Sequence, residues 1–171
     1  MKKFFIVSLL IFVLAGAAYA AEKPAIGYVN LHRVLLESKV GKRNKVELDK
    51  LIKEKESLIA GEEAKLQAMQ QAFQKDQLLM TDAQKLEKQK AFQEKAEAYQ
   101  KMVNEAKQDV NKKDSEFANK SLAEIKTVVA ALAKETKLNI VFDANELSVL
   151  YADDGMDLTQ KVIERYDAKS K

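Results

Sequence analysis

Apolar residues recur at seven-residue intervals in two stretches that together cover much of this chain. The first row is Ile52, Ile59, Leu66, Phe73 and Met80, and the second row is Ala96, Val103, Val110 and Phe117. This spacing places each row on one face of a helix, as the seam of a coiled coil requires. No glycine or proline lies between Glu62 and Ala152 to interrupt such a helix. The pattern predicts two long helical arms rather than a globular pocket.

A short polar segment between the two rows predicts a corner. Thr81 followed by Gln84 matches a capping box, in which each residue's side chain accepts a hydrogen bond from the other's backbone N–H. We therefore expect a first helix from about Leu31 to Met80, capped by Asn30, and a second from about Asp82 to Thr136. One continuous helix remains the alternative, because neither glycine nor proline forces a turn here.

Short segments rich in β-favouring residues flank the helical region. They are residues 25–29 before the arms, and residues 138–142 and 149–152 after them. Asp157 with Gln160 then predicts a last helix to about Tyr166. Three short strands form a poor isolated sheet, so pairing with other copies is expected. The predicted fold class is α+β, mostly α, with a long helical hairpin on a small β-containing hub.

Residues 1–20 have the pattern of a secretory signal peptide. Lys2 and Lys3 supply the charged start, an apolar stretch runs from Phe4 to Leu14, and Ala18-Tyr19-Ala20 supplies small residues for cleavage. We expect cleavage after Ala20 and a bacterial periplasmic location. The alternative is a membrane anchor, but the apolar stretch is about half the roughly 20 residues that span a bilayer. The chain has no cysteine, so its stability cannot come from disulfides.

Charge and motif content argue against several function classes. The formal net charge of +3 falls to +1 when Lys2 and Lys3 are removed, and no basic stripe predicts a nucleic-acid partner. His32 is the only histidine, so no metal site is predicted. Asp153 and Asp154 resemble a carboxylate pair but are more typical of a turn. With no nucleophile–base pair and no phosphate-binding glycine loop, we expect no catalysis and no cofactor.

Segments at both ends of the mature chain carry a family resemblance. They are Ile26-Gly27-Tyr28-Val29-Asn30-Leu31-His32-Arg33-Val34-Leu35-Leu36-Glu37-Ser38, Asn139-Ile140-Val141-Phe142-Asp143, Leu150-Tyr151-Ala152-Asp153-Asp154-Gly155 and Asp157-Leu158-Thr159. These segments resemble the Skp/OmpH family of periplasmic chaperones. The resemblance implies a homotrimer in which strands of three chains close a central β-barrel. Three hairpins then surround a cavity that holds unfolded outer-membrane β-barrel proteins, without ATP.

The resemblance also implies a division of the mature chain. Residues 21–38 and 137–171 form the oligomerisation hub, and residues 39–136 form the arm, with its corner near residue 81. The implied hub residues are Ile26, Tyr28, Val29, Ile140, Val141, Phe142, Leu150 and Tyr151. Basic arm tips in this family have been linked to lipopolysaccharide or anionic membranes. Here the tip lysines alternate with Asp76, Asp82 and Glu87, which argues against such contact.

Candidate client contacts lie near the corner and along the second arm. They are Leu78, Leu79, Met80, Phe92 and Tyr99. Three consecutive apolar residues at 78–80 cannot all face one seam, which leaves some of them for a client. The alternative is that Phe92 and Tyr99 fill the hairpin and that residues 78–80 form the corner's own small core. A different function also remains open, that of a structural coiled-coil spacer or adaptor in an envelope complex.

Overall fold

A computed structural model describes residues 25–145 and 150–169. In chain order the elements are strand β1 (Ile26–Val29), helices α1 (Leu31–Glu37), α2 (Lys39–Asp76) and α3 (Asp82–Glu135), strand β2 (Ile140–Asp143), a 3₁₀ turn (Asp154–Met156) and helix α4 (Thr159–Lys169). The predicted signal peptide, residues 21–24 and 170–171 of the predicted hub, and Val149 of the predicted third strand lie outside the described residues. The chain is mostly helical with a small sheet, which confirms that part of the predicted fold class.

The predicted first helix is divided at Ser38. Its backbone is extended there (φ −65°, ψ 154°), so α1 ends and α2 begins at the same residue. The Ser38 hydroxyl accepts a hydrogen bond from Gly41 N at 3.1 Å, and the Asp167 carboxylate accepts one from Lys39 N at 2.8 Å. Both bonds satisfy N–H groups of the first turn of α2, which have no partner within the helix. The prediction of one uninterrupted helix is therefore wrong at this point.

The corner lies where the capping box predicts it. The Thr81 hydroxyl accepts from Gln84 N at 3.3 Å, and the Gln84 side chain accepts from Thr81 N at 2.9 Å. The predicted Asn30 cap is also confirmed, because its side chain accepts from Arg33 N at 2.8 Å. The first arm ends at Asp76, four residues earlier than predicted, and a short turn leads into α3.

The two arms pack side by side in opposite directions. Lys113 pairs with Glu47 at 2.9 Å, and Asn44 donates to Ser121 at 3.3 Å across the hairpin. This packing excludes the single continuous helix. At a rise of 1.5 Å per residue, α2 with 38 residues is about 57 Å long and α3 with 54 residues is about 81 Å long.

The apolar core lies at the base of the hairpin. It consists of Val29, Val34, Val40, Ile125, Val128, Leu132, Leu158, Val162, Ile163 and Tyr166. Within α2 the only buried residue is Val40, and the buried residues of α3 begin at Ala106 and extend to Leu132. The hairpin is therefore firmly packed at its base and thinly packed toward the corner.

Helix α4 is attached to this base by polar contacts as well as by packing. Tyr166 is 1% exposed, and its hydroxyl donates a hydrogen bond to Glu124 Oε2 at 2.9 Å. Burial raises the pKa of the Tyr166 phenol. Arg165 pairs with Glu135 at 2.7 Å, and this hydrogen bond lowers the pKa of the Glu135 carboxyl. Helix α4 thus contacts α3 through its side chains and caps α2 through Asp167.

Strands β1 and β2 pair in parallel as a two-stranded sheet. On the far side of β1, Leu158 N donates to Tyr28 O at 2.9 Å, which forms a single bridge rather than a strand. The third strand predicted at residues 149–152 is wrong for Leu150, Tyr151 and Ala152. No strand forms there because, within the described chain, these residues pair with neither β1 nor β2.

Candidate functional site

One face of the small sheet is an apolar surface that the described chain covers only in part. The parallel register places Ile26 beside Ile140 and Tyr28 beside Phe142. Side chains alternate between the two faces of a strand, so these four residues share one face. Ile140 is 44% exposed and Phe142 is 37% exposed, whereas Ile26 and Tyr28 are half-buried. We call these four residues the open sheet face.

The predicted hub residues divide between the two faces of the sheet. Val29 is 3% exposed and belongs to the chain's own core, and Val141 packs against that core from the partly buried layer. Gly27 lies on the same inner face, where an added Cβ would stand 2.9 Å from Leu158 Cδ1. The side chains of Val29 and Val141 are therefore used within one chain.

Leu150 and Tyr151 are the most exposed of the predicted hub residues, at 97% and 84%. The Tyr151 hydroxyl donates to Asp153 Oδ1 at 2.9 Å, and Asp154 begins the 3₁₀ turn. This arrangement supports the interpretation of the two aspartates as turn residues. Large apolar side chains exposed to this degree, close in sequence to a sheet with an open face, are typical of a protein–protein interface.

The arm tip exposes two leucines that nothing in the described chain covers. Leu78 and Leu79 are each 90% exposed in the turn between α2 and α3. Only Met80 of the three consecutive apolar residues is half-buried. A small core formed by all three residues would bury the two leucines, so the exposure of Leu78 and Leu79 argues against that alternative.

A cavity of about 430 Å³ lies between the two arms just behind this turn. Its apolar lining is formed by Met69, Ala72, Phe73, Met80 and Phe92. Asp76, Lys88, Gln70 and Gln89 supply its polar lining. We call this space the tip cavity. It brings together Met80 and Phe92 from the predicted client contacts, whereas Leu78, Leu79 and Tyr99 do not line it.

Met69 and Phe73 were not among the predicted client contacts. Phe73 belongs to the first heptad row, which suggested a seam residue, and Met69 flanks that row. The sequence did contain a signal for this cavity, because large apolar residues become sparse toward the corner. Where a helix face has too few large apolar residues to fill the space between two helices, a gap is expected. Further apolar side chains are exposed along the arms: Val46 at 69%, Leu58 at 62% and Leu86 at 53%.

Two further observations concern the described residues as a group. No helix among them is both long enough and apolar enough to cross a membrane. Within the same residues, no cluster of three or more histidine, cysteine, aspartate or glutamate side chains could hold a metal ion. Some charges on the arms are paired locally, as in the Lys85–Asp82 pair at 3.8 Å next to the corner.

Comparison with known proteins identifies the family. A family model described as outer membrane protein (OmpH-like) matches residues 25–166. The chain belongs to the OmpH-like family. This match confirms the resemblance predicted from the segments at the two ends of the mature chain.

Relatives of this OmpH-like chain match it over nearly their whole length. The chaperone protein Skp of Yersinia enterocolitica is 28% identical over 172 residues, which cover 96% of this chain and 99% of that protein. A Skp-like protein of Chlamydia muridarum (strain MoPn / Nigg) is 27% identical over 169 residues, covering 98% and 96%. The crystal structure of an OmpH-like protein from Caulobacter crescentus CB15 superposes with a TM-score of 0.80 at 20% identity, covering 90% and 89%. That likeness shows a shared fold.

Proposed function

We propose that this protein is an ATP-independent holdase chaperone of the periplasm. It binds unfolded outer-membrane proteins and prevents their aggregation on the way to the outer membrane. The observation that carries the proposal is the pair Leu78 and Leu79. These two leucines lie at the tip of a long helical arm, and each is 90% exposed to solvent. Exposed leucines on a soluble arm are an aggregation liability unless something binds them. Relatives that bear the name chaperone protein Skp give this interpretation further support.

The chemistry of the arms suits an unfolded client. An unfolded β-barrel protein exposes many apolar residues and no single sequence, so it is best held by many weak contacts. Val46, Leu58 and Leu86 add exposed apolar sites among mobile charged side chains along the arms. Each such contact buries little surface, and a partly buried leucine contributes less than the roughly 1.5–3 kcal/mol of a fully buried one. Binding of this kind tolerates different clients.

We further propose that three copies assemble through the open sheet face and close a barrel. The two strands of the described chain make a marginal sheet, and Ile140 and Phe142 on its open face stay 44% and 37% exposed there. Leu150 and Tyr151 are available to the same contact. In this arrangement residues 21–38 and 137–171 form the hub, and residues 39–136 form the arm. The signal peptide is removed after Ala20 before assembly.

Assembly is tested by sedimentation equilibrium of the mature protein. We expect a trimer in reversible exchange with monomer, and Phe142→Asp should shift the population to monomer because an unpaired charge is costly to bury. Leu58→Asp is the matched control, since Leu58 is 62% exposed on α2 and belongs to the arm rather than to the hub. Val141→Asp is a less specific test, because Val141 also packs within its own chain. A compact monomer at every concentration of the unmodified protein would contradict the proposal.

Holdase activity is tested by light scattering. A urea-unfolded outer-membrane β-barrel protein is diluted into buffer with or without the mature protein and without ATP. We expect the mature protein to keep scattering low, and Leu78→Ser with Leu79→Ser to weaken this protection at unchanged helicity. The matched control is Leu36→Ser on α1, outside the arm. A structural spacer would instead leave scattering unchanged and bind one folded partner, which would refute the holdase proposal.

A further inference from the structure

The tip cavity is an apolar space at the end of the seam between the two arms. Its apolar lining comes from both arms and from the turn, through Met69, Phe73, Met80 and Phe92. Its volume of about 430 Å³ lies within the range of cavities that bind ligands. Two of its apolar residues are methionines, whose flexible side chains adapt to differently shaped partners.

One polar residue of the tip cavity, Asp76, occupies an unfavourable position at the end of a helix. Asp76 is the last residue of α2, where a carboxylate faces the negative end of the helix dipole. Among the described residues, neither Asp76 nor Lys88 takes part in a salt bridge, although both line the same cavity. A carboxylate at the C-terminal end of a helix is locally unfavourable, and local conflicts of this kind are typical of functional sites.

The polar groups around the cavity indicate what its occupant must offer. Asp76 accepts hydrogen bonds, Lys88 donates them, and the amides of Gln70 and Gln89 do both. This set matches the alternating N–H and C=O groups of an extended polypeptide backbone. An acyl chain would need only the apolar lining, and an anionic headgroup would be attracted by Lys88 but repelled by Asp76.

We propose that the tip cavity binds an apolar side chain of an extended polypeptide segment, with Asp76, Lys88 and the two glutamines contacting the neighbouring backbone. Apolar residues at alternate positions of such a segment lie on one side of it. One of them enters the cavity while the next reaches the exposed leucines of the adjoining turn. This inference rests on the proposed holdase function and names the part of a client that the arm tip takes.

Methionine methyl groups provide a direct test. After loss of the signal peptide the chain retains Met69 and Met80 in the cavity and Met102 and Met156 elsewhere. With ¹³C-methyl methionine, each signal is assigned by a single methionine-to-leucine substitution. The probe is a soluble peptide of alternating leucine and serine with charged ends. We expect the peptide to shift the Met69 and Met80 signals and to leave the other two unchanged. Equal shifts of all four signals, or none, would overturn the proposal.

Two further titrations identify the occupant's chemistry. A peptide with every leucine replaced by serine should shift no methionine signal. A short-chain phosphatidylcholine that shifts Met69 and Met80, when the leucine peptide does not, would overturn the proposal in favour of a lipid site. Shifts that depend on protein concentration in the absence of any peptide would show that a second copy of the arm fills the cavity, which also overturns it.

A filling variant separates the cavity from general surface hydrophobicity. Ala72 lines the cavity, and Ala64 is an exposed alanine two turns earlier on the same helix that does not line it. We expect Ala72→Phe to weaken binding of the leucine peptide by about tenfold, the factor that corresponds to about 1.4 kcal/mol. Ala64→Phe should leave binding unchanged. Tighter binding by both variants would show that added apolar surface alone governs affinity and would overturn the proposal.

The outcome for the cavity is distinguishable from the outcome for the holdase function. If the parent protein prevents aggregation and Ala72→Phe binds the peptide as tightly as the parent, the cavity proposal fails and the holdase function stands. If the parent protein fails to prevent aggregation, the holdase function itself fails. Circular dichroism of Ala72→Phe checks its helicity, and the methionine shifts of the parent protein do not depend on that variant.

Discussion

Gly41 lies where the first turn of α2 passes beside the last turn of α1. A Cβ added at this position would stand 1.5 Å from Leu35 O and 3.2 Å from the Ser38 hydroxyl. The first distance is half the 3.0 Å below which real Cβ contacts essentially do not occur. The obstructing atom belongs to the backbone, so a side-chain rotation cannot remove the clash. Gly41→Ala must therefore move α1 relative to α2.

The expected cost follows from two opposing effects. Overpacking in a close contact destabilises a protein by about 1–3 kcal/mol. Alanine also favours a helix over glycine by up to about 1 kcal/mol. Because the contact with Leu35 O is so short, we expect the first effect near its upper limit. Gly41→Ala should then lower the free energy of unfolding by about 2 kcal/mol.

Gly61 provides a matched control within the same helix. A Cβ at Gly61 would have no atom within 4 Å. Gly61→Ala should therefore raise the free energy of unfolding by up to about 1 kcal/mol. The measurement is urea unfolding followed by circular dichroism at one fixed chain concentration, since assembly makes stability depend on concentration. Equal effects of the two substitutions, in either direction, would refute the role assigned to the Gly41–Leu35 contact.

Three further predictions concern the base and the arms. Tyr166→Phe should cost about 1 kcal/mol at neutral pH through the lost hydrogen bond to Glu124. Burial raises the Tyr166 pKa above its ordinary value of 10.0, so this stabilisation is complete below about pH 10 and is lost as pH rises through the raised value. The stability gap between parent and variant should therefore narrow above pH 10 in pH-dependent urea unfolding, and a constant gap would contradict the argument. Lys137 has a positive φ of 54° just after α3, so Lys137→Gly should raise the melting temperature, and a lower one would count against strain there. Hydrogen exchange should be fastest in residues 74–92 and slowest in residues 121–132, and uniform protection along the hairpin would contradict the thinning of its packing.

Local hydrogen-bonding chemistry made several features predictable from the sequence. The Asn30 cap and the Thr81–Gln84 capping box depend on residues within three positions of each other, so the sequence alone specifies them. The heptad rows predicted the two arms because a repeated seven-residue spacing of apolar residues is itself visible in the sequence. Their packing partners could not be assigned in this way, because the base of α3 packs against α1 and α4 rather than only against α2.

The errors arise where tertiary contacts decide between local alternatives. Ser38 interrupts a run with continuous helical periodicity, and its break is stabilised by Asp167, which lies far away in sequence. Leu150 and Tyr151 have strand propensity but pair with neither strand of the described chain. Propensity selects a strand only where another strand is available.

The candidate sites also depend on tertiary contacts that the sequence alone does not reveal. Strand periodicity places Val29 and Val141 on one face and Tyr28 and Phe142 on the other, but it does not say which face meets the helices. The tip cavity could not be predicted because it depends on how the two arms pack against each other near Phe73. Its polar lining residues are separated along two helices, so no motif joins them in the sequence.

The mass of the complex with a client tests the central claim most directly. The mature protein is mixed with a urea-diluted outer-membrane β-barrel protein, and the complex is measured by native mass spectrometry. An assembly that encloses its client predicts three chains bound to one unfolded client, without nucleotide. A single chain bound to the client, or no complex while the barrel protein aggregates, would contradict the account.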